Sequence, residues 1–574
     1  MNDKFFAQSS PAEQRPTGTD REEGARPPRQ RLADELIALD LDIMKSLAKR
    51  AKLVGKLRGG KEHAATPVAV KAEKEVRTAW EKNAARFSRD DKFSRQLFTL
   101  LQELRIDSRA ESESRGNFNL APSRKPVSVT LQGPADVTST RLVAAVAAAC
   151  GNAFSLDNIL VNTPLVDCLK ALNSVGARFT WTNTGKPGEG LLTQEASGSA
   201  SPLNFNDKVL YLGDDTLTMY LVAFMAAGAS GRVRFTGGTG LKMANLSPLR
   251  RFLPGLGARF AHNMPKSDGL PGRLEASGMI PDTITVPNDL PEEGVSALVC
   301  AAATWRKRVS LVCSALPASV LQAALASALP VLRECQVAES MSGAVLTIDG
   351  TNARVPEKPT LPLDAAISAY ILALPAFAGG SVALGGVWDE GLPLAEQAST
   401  LLRAAGLSMQ CGEEGVRVQR SPDAGIASDV AYVLTDVAPE LLPLGLSLAA
   451  LSAKRGKGVC PAPRLPDHAD ATIMGGFFAY LGFACNNEEL RASSEKSSGP
   501  ESPWTSPGPY WTMAYALAAY LHPSLSLTNP ASVAEVMPSF WALYNALPDP
   551  SVAAVKKTAK EPVKRRRVFA GQGN

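Results

Sequence analysis

Eight cysteines, at 150, 168, 300, 313, 335, 411, 460 and 485, and four histidines are the residues from which a redox or metal centre would be assembled. No two cysteines form a Cys-x-x-Cys pair. Most lie in apolar runs such as Leu298-Val299-Cys300, the setting of buried small hydrophobes kept reduced rather than of nucleophiles or ligands. The histidines are scattered, so a zinc site has little to build on, and neither a metal nor another cofactor is expected. Charge is the other resource. The 61 Lys and Arg against 56 Asp and Glu leave a net charge of +5 over 574 residues, which does not by itself point to nucleic acid. Cations gather in two stretches. Lys45, Lys49, Arg50, Lys52, Lys56 and Arg58 fall close together, and Lys564-Arg565-Arg566-Arg567 stands near the end. The second run reads as a solvated tail or as a contact for an acidic partner.

The elements that carry these residues follow from the apolar pattern. Hydrophobic residues make up 45% of the chain and charged residues 20%, as in soluble proteins with sizeable cores. Residues 1–30 are polar and charged, without the apolar stretch of a signal peptide, and read as a disordered arm. From 31 to 106 the pattern is helical. Leu32, Leu36, Leu39, Ile43, Leu47 and Leu53 recur at helical steps, and Gly59-Gly60 breaks the helix before two more. Residues 107–125 have no apolar face and read as a linker. From 126 to 548 the chain repeats itself: an Ala/Leu-rich helix, a glycine, then a short β-branched or aromatic run. Leu169 to Phe179 (LKALNSVGARF) and Leu249 to Phe260 (LRRFLPGLGARF) are two examples. Six such helices, each followed by a second, are expected at Leu142–Cys150, Met219–Ala227, Val295–Trp305, Ile367–Phe377, Leu441–Leu451 and Thr512–Leu521. A basic tail fills 549–574. No apolar run is long enough to span a membrane, and a cytoplasmic protein is expected.

Six two-helix units with short strands resemble the EPSP synthase (3-phosphoshikimate 1-carboxyvinyltransferase) or enolpyruvyl transferase family. Gly133 to Cys150 is similar to its Pro-Gly-Ser-Lys-Ser-x-Ser-Asn-Arg turn and helix, and Leu212-Gly213-Asp214-Asp215 to its Leu-Gly-Asn-Ala-Gly-Thr turn. Asp364 to Gly380 resembles the Asp-Ala-x-Pro segment, Asp467-His468 the Asp-His-Arg motif, and Asn529-Pro530 to Phe540 the closing segment. The resemblance implies an α/β fold, a two-lobed inverse α/β barrel of six two-helix repeats. Lobe one would be 126–140 with 360–548, and lobe two 141–359. The substrates it implies, shikimate 3-phosphate and phosphoenolpyruvate, would bind between the lobes without a cofactor. Asp364 would be the acid–base residue, with Ser139, Thr140, Arg141 and His468 against substrate. Several family cations are replaced. Asp136 takes the place of the first-turn lysine, Tyr220 of an arginine, Pro291-Glu292-Glu293 of a Ser-Ser-Gln phosphate contact, Glu390-Gly391 to Leu394 of a Lys-Glu-x-x-Arg segment, Ala469 of an arginine and Glu535 of the closing lysine. Lys242, Lys454, Arg455 and Lys457 are the candidates to restore positive charge.

The helical module at 31–106 resembles the all-α AroQ-type chorismate mutases, on Leu39-Asp40 through Lys61 and Pro67. In that likeness Arg50 and Lys61 fall on cations that hold chorismate, and the module implies a homodimer. Three readings stay open: a divergent EPSP synthase of aromatic amino-acid biosynthesis, a silent scaffold or regulator of other shikimate-pathway enzymes, and chorismate mutase activity in the N-terminal module.

Overall fold

The computed structural model describes residues 118–547 apart from 124, 183–189, 198–202, 264–266, 413, 421–429, 456–458, 468, 487, 493–502 and 523–524, together with parts of 36–53, 75–83 and 97–101. The 1–30 arm, most of the 107–125 linker and the 549–574 tail lie outside the described residues, as do Lys61, Lys457 and His468. The chain divides into two compact units, Met1–Ala110 and Glu111–Asn574.

In the first unit the described residues of 36–53 and 75–83 are helical. The leucine stripe is expected to be the packed face, yet Leu36, Leu39, Ile43 and Leu53 are exposed by 47% to 60%. Aromatic contacts do the packing instead. The Arg50 guanidinium lies 5.6 Å and that of Arg77 5.9 Å from the centre of the Phe98 ring, and Trp80 meets the same ring at 5.6 Å.

The second unit is built on six helices with scarcely a polar side: α1 (Val137–Cys150), α2 (Thr216–Ala227), α3 (Glu292–Thr304), α4 (Ala365–Leu372), α5 (Leu442–Arg455) and α6 (Pro509–Ala518). A helix apolar all round has no face to give to water and must be enclosed. In α2 every residue from Leu217 to Ala227 is buried. All six fall where the repeat places them, with one division: Pro375 cannot continue α4, and a separate turn of helix follows at Leu374–Ala378. Inside the phrase Leu249 to Phe260, Gly257 takes left-handed backbone at φ 69°, and Gly406, after the helix Pro393–Ala404, does the same at φ 78°. Five of the eight cysteines are buried, and Cys411 is exposed.

Strands enclose the helices. Twelve of them form three four-stranded sheets: β1 (Val127–Gln132), β2 (Lys208–Tyr211), β3 (Ser230–Thr236), β4 (Ala258–His262), β5 (Gly272–Ser277), β6 (Thr283–Thr285), β7 (Arg308–Val312), β8 (Ala338–Ser342), β9 (Val345–Asp349), β10 (Gly380–Gly385), β11 (Leu407–Gly412) and β12 (Gly415–Arg420). The orders are β2-β3-β5-β4, β6-β7-β9-β8 and β1-β10-β12-β11. Each has one parallel pair, then two antiparallel ones.

One strand is exchanged. In the first two sheets the parallel pair flanks a core helix, β2 before α2 and β3 after it. In the third, β10 follows α4, but its parallel partner β1 comes from the start of the unit, ahead of α1. In return, residues 353–357 run beside α1 and its following strand: Ser155 N donates to Glu357 O at 2.7 Å and Asn152 Nδ2 to Val355 O at 2.7 Å. The chain therefore crosses between two groups of three helices twice. The crossings lie side by side, with Asp136 N donating to Pro362 O at 2.9 Å and Asp364 N to Pro134 O at 2.8 Å.

Candidate functional site

The first N–H groups of a helix lack partners inside it, and the dipole leaves that end positive, so a helix N-terminus is a ready anion site. Three core helices fill that site with their own side chains. Asp136 accepts from Ser139 N at 2.6 Å on α1, Asp215 from Thr218 N at 2.7 Å on α2, and Asp364 from Ile367 N at 2.9 Å on α4. Each such cap contributes about 1 kcal/mol to its helix. Hydroxyls of the same turn brace the cap residue: Thr140 Oγ1 donates to the Asp136 carbonyl at 2.7 Å, and the Ser139 hydroxyl supports the Asp136 carboxylate.

The double crossing brings these ends together. Arg141, at the start of the second turn of α1 and buried, donates through Nη1 to Asp215 Oδ2 at 2.5 Å and through Nε to Val137 O at 3.3 Å. Asp364 is pushed up to about 7, first by burial, then by the Asp136 carboxylate beside it and by Glu440. Asp136 is also raised by burial, against the pull of Ser139 and Arg141. Tyr510, in the first turn of α6, stacks on Tyr370 with ring centres 6.0 Å apart, and burial and then Asp364, Glu440 and Asp136 raise its hydroxyl. At the start of α3, desolvation and then Glu293 and Glu440 raise Glu292. The junction of helix N-termini is thus rich in carboxyls and hydroxyls, and its buried cation is already paired.

Two of the candidate cations are placed elsewhere. Lys454 Nζ donates to Leu521 O and Arg455 Nη2 to Ala376 O, both at the C-terminal end of α5, far along the helix from Glu440. Lys242 lies on Thr239–Met243, a short helix whose first turn is capped by Asp214, through Gly240 N at 2.9 Å and Leu241 N at 2.6 Å. Tyr220 is buried against Phe224. Glu390 pairs with Arg403 at 2.6 Å, and Glu535 is exposed. In the first unit, Arg50 donates to Leu101 O as well as covering Phe98. Of the expected site residues, Ser139, Thr140, Arg141 and Asp364 meet at the junction. Asp215, Glu440 and Tyr510 join them without having been singled out. Asp215 has a trace in the sequence: it is the second acid of a turn whose family counterpart reads Asn-Ala.

This fold recurs in solved structures. EPSP synthase from Acinetobacter baumannii matches over 75% of this chain and 97% of its own, with a TM-score of 0.56 at 14% identity. A second structure of that enzyme gives 0.57 at 15%, over 75% and 98%. The enolpyruvyl transferase NikO from Streptomyces tendae matches over 74% and 95%, with 0.51 at 15%. The fold is that of the enolpyruvyl transferases. No protein-family model and no curated protein sequence matches the chain. At these identities the likeness describes architecture alone, and the junction has to be read from its own chemistry. Two buried carboxyls, one titrating near neutrality, can exchange a proton. They cannot gather phosphates.

Proposed function

We propose that this is a divergent EPSP-synthase-like protein of the shikimate pathway that does not join shikimate 3-phosphate to phosphoenolpyruvate, and acts instead as a scaffold or regulator beside the pathway's enzymes. One observation carries the proposal: the helix N-termini that an anionic substrate would use are filled by Asp136, Asp215 and Asp364. A phosphoryl group placed there would find the helix amides already taken, and would meet carboxyl groups whose ionised forms repel it at low dielectric by about several kcal/mol per contact. Arg141 offers no compensation while Asp215 holds it. The three four-stranded sheets of one strand order and the six core helices among the described residues support reading the large unit as six repeats in two lobes. Genetic complementation tests the proposal. A host lacking its own EPSP synthase should still need aromatic supplements when it carries this chain; growth without them would overturn the reading.

A second reading keeps chemistry at the junction. Asp364, half-protonated near pH 7, is placed for acid–base work on a substrate that is not a double anion. A mutase reading of the first unit rests on Arg50 and Lys61, and chorismate turnover by the intact chain that Arg50→Ala abolishes would support it.

A further inference from the structure

The three four-stranded sheets share one strand order, so each serves as a control for the other two. Their inward rows are apolar. Their outward rows differ. In the β6-β7-β9-β8 sheet the outward residues in register are Thr283, Ser310, Thr347 and Ser340. In the β1-β10-β12-β11 sheet they are Ser128, Ser381, Gln419 and Ser408, then Thr130, Ala383, Arg417 and Gln410. The outer faces of these two sheets are mostly short hydroxyl and amide side chains, with one arginine each: Arg417, and Arg308 in register with Asp349.

The β2-β3-β5-β4 sheet departs from that pattern. One outward row reads Val209, Arg234, Arg273 and Ala261, and the next Arg232, Glu275 and Arg259. All four arginines are exposed. Arg232 pairs with Asp207 at 2.5 Å and Arg273 with Glu275 at 2.8 Å. Arg234 and Arg259 have no carboxylate partner among the described residues. Arg234 also stands directly across from Arg273, a like-charge pairing that destabilises a sheet unless something anionic lies over it. On the edge strand β2, Val209 and Tyr211 are 63% and 53% exposed beside this field.

We propose that this sheet face is a docking surface for an acidic, extended peptide segment of a partner protein, lying along β2. Arg232 and Arg234 alternate on β3, about 7 Å apart, which matches the spacing of alternate side chains in an extended acidic strand. Val209 and Tyr211 take an apolar or aromatic residue of the same segment, and Arg is suited to forked contacts with its carboxylates. The interleaved Asp207 and Glu275 interrupt the positive field, which suits a segment with spaced carboxylates better than an uninterrupted run of phosphates. The proposal is independent of what Asp364 does.

Fluorescence anisotropy tests it with the full chain and a labelled peptide alternating Glu and Ser and carrying one Phe. The peptide should bind at low ionic strength and weaken as salt is added. Arg234→Glu with Arg259→Glu should cut affinity by about tenfold or more, as reversal of charges facing a charged partner does. Arg417→Glu, on the sister sheet, should leave it unchanged. Arg234→Glu faces Arg273 and should not lower the melting temperature, so lost binding would not reflect unfolding. Equal binding of a Gln-for-Glu peptide, tighter binding of a single-stranded oligonucleotide, or no binding at low salt would each overturn the proposal.

Discussion

The two ends of the core helices are treated in opposite ways. At the N-terminal ends the chain sets Asp136, Asp215 and Asp364 against its own amides. At the C-terminal ends it sets cations against carbonyls. Arg306 Nη2 donates to Ala149 O at 2.9 Å and Cys150 O at 3.2 Å, closing α1, while Lys454 and Arg455 reach Leu521 and Ala376. Both arrangements complement the helix dipole. The difference lies in what else each end could do. Carbonyl ends have no use for an anionic ligand, so cations there cost no function. Amide ends are where an anion would bind, so carboxylates there exclude it. In this unit charge follows the needs of the helices, and Lys454 and Arg455, two of the cations that a phosphate clamp would draw on, stand at the wrong end.

The sharpest break of that comparison is Arg141→Ala. It leaves Asp215 partly buried without its partner, and should cost about 3 kcal/mol in urea unfolding, because removing one member of a buried pair strands the other. Removing Asp215 as well, in the double variant with Asp215→Ala, should recover much of the loss. Recovery of nothing would show that Arg141 acts through packing and not through the pair.

Asp364→Asn comes next, and its sign depends on pH. Folded Asp364 holds its proton up to about 7, whereas the ordinary carboxyl loses it near 3.8. Its stabilising contribution is therefore complete below about 3.8 and is lost as pH rises through 7. Asn keeps a cap without the charge. The variant should gain about 2 kcal/mol at pH 8, with nearly all of that gain gone at pH 4. A gain of equal size at both pH values would contradict the burial of a strained carboxyl beside Asp136.

The smallest effect belongs to the opposite ends. Arg306→Ala should cost about 1 kcal/mol, the loss of two exposed-edge carbonyl contacts and a favourable dipole term. Differential scanning calorimetry would resolve it, and a cost as large as that of Arg141→Ala would erase the distinction between the ends.

Much of this was legible in the sequence, and the remainder was illegible for definite reasons. The core helices are readable because all-round apolar composition and a following glycine are local signals, as in Leu249 to Phe260. The pairing of β1 with β10 is not, since parallel partners more than two hundred residues apart leave no local trace. Asp136 is readable as a lost lysine, but its work as a cap depends on α1 beginning at Val137, five residues ahead of the apolar run at Leu142. Lys454 and Arg455 looked available because sequence gives their charge and not the end of the helix on which they fall. The exposed leucines of the first unit show the limit of periodicity: it marks a face without saying what covers it.

Titration calorimetry with shikimate 3-phosphate at low salt tests the central claim most directly, since screening cannot then hide a weak attraction. An N-terminal junction occupied by its own carboxylates predicts no heat at millimolar ligand, with or without phosphoenolpyruvate. Saturable binding that tightens when phosphoenolpyruvate is added would contradict it.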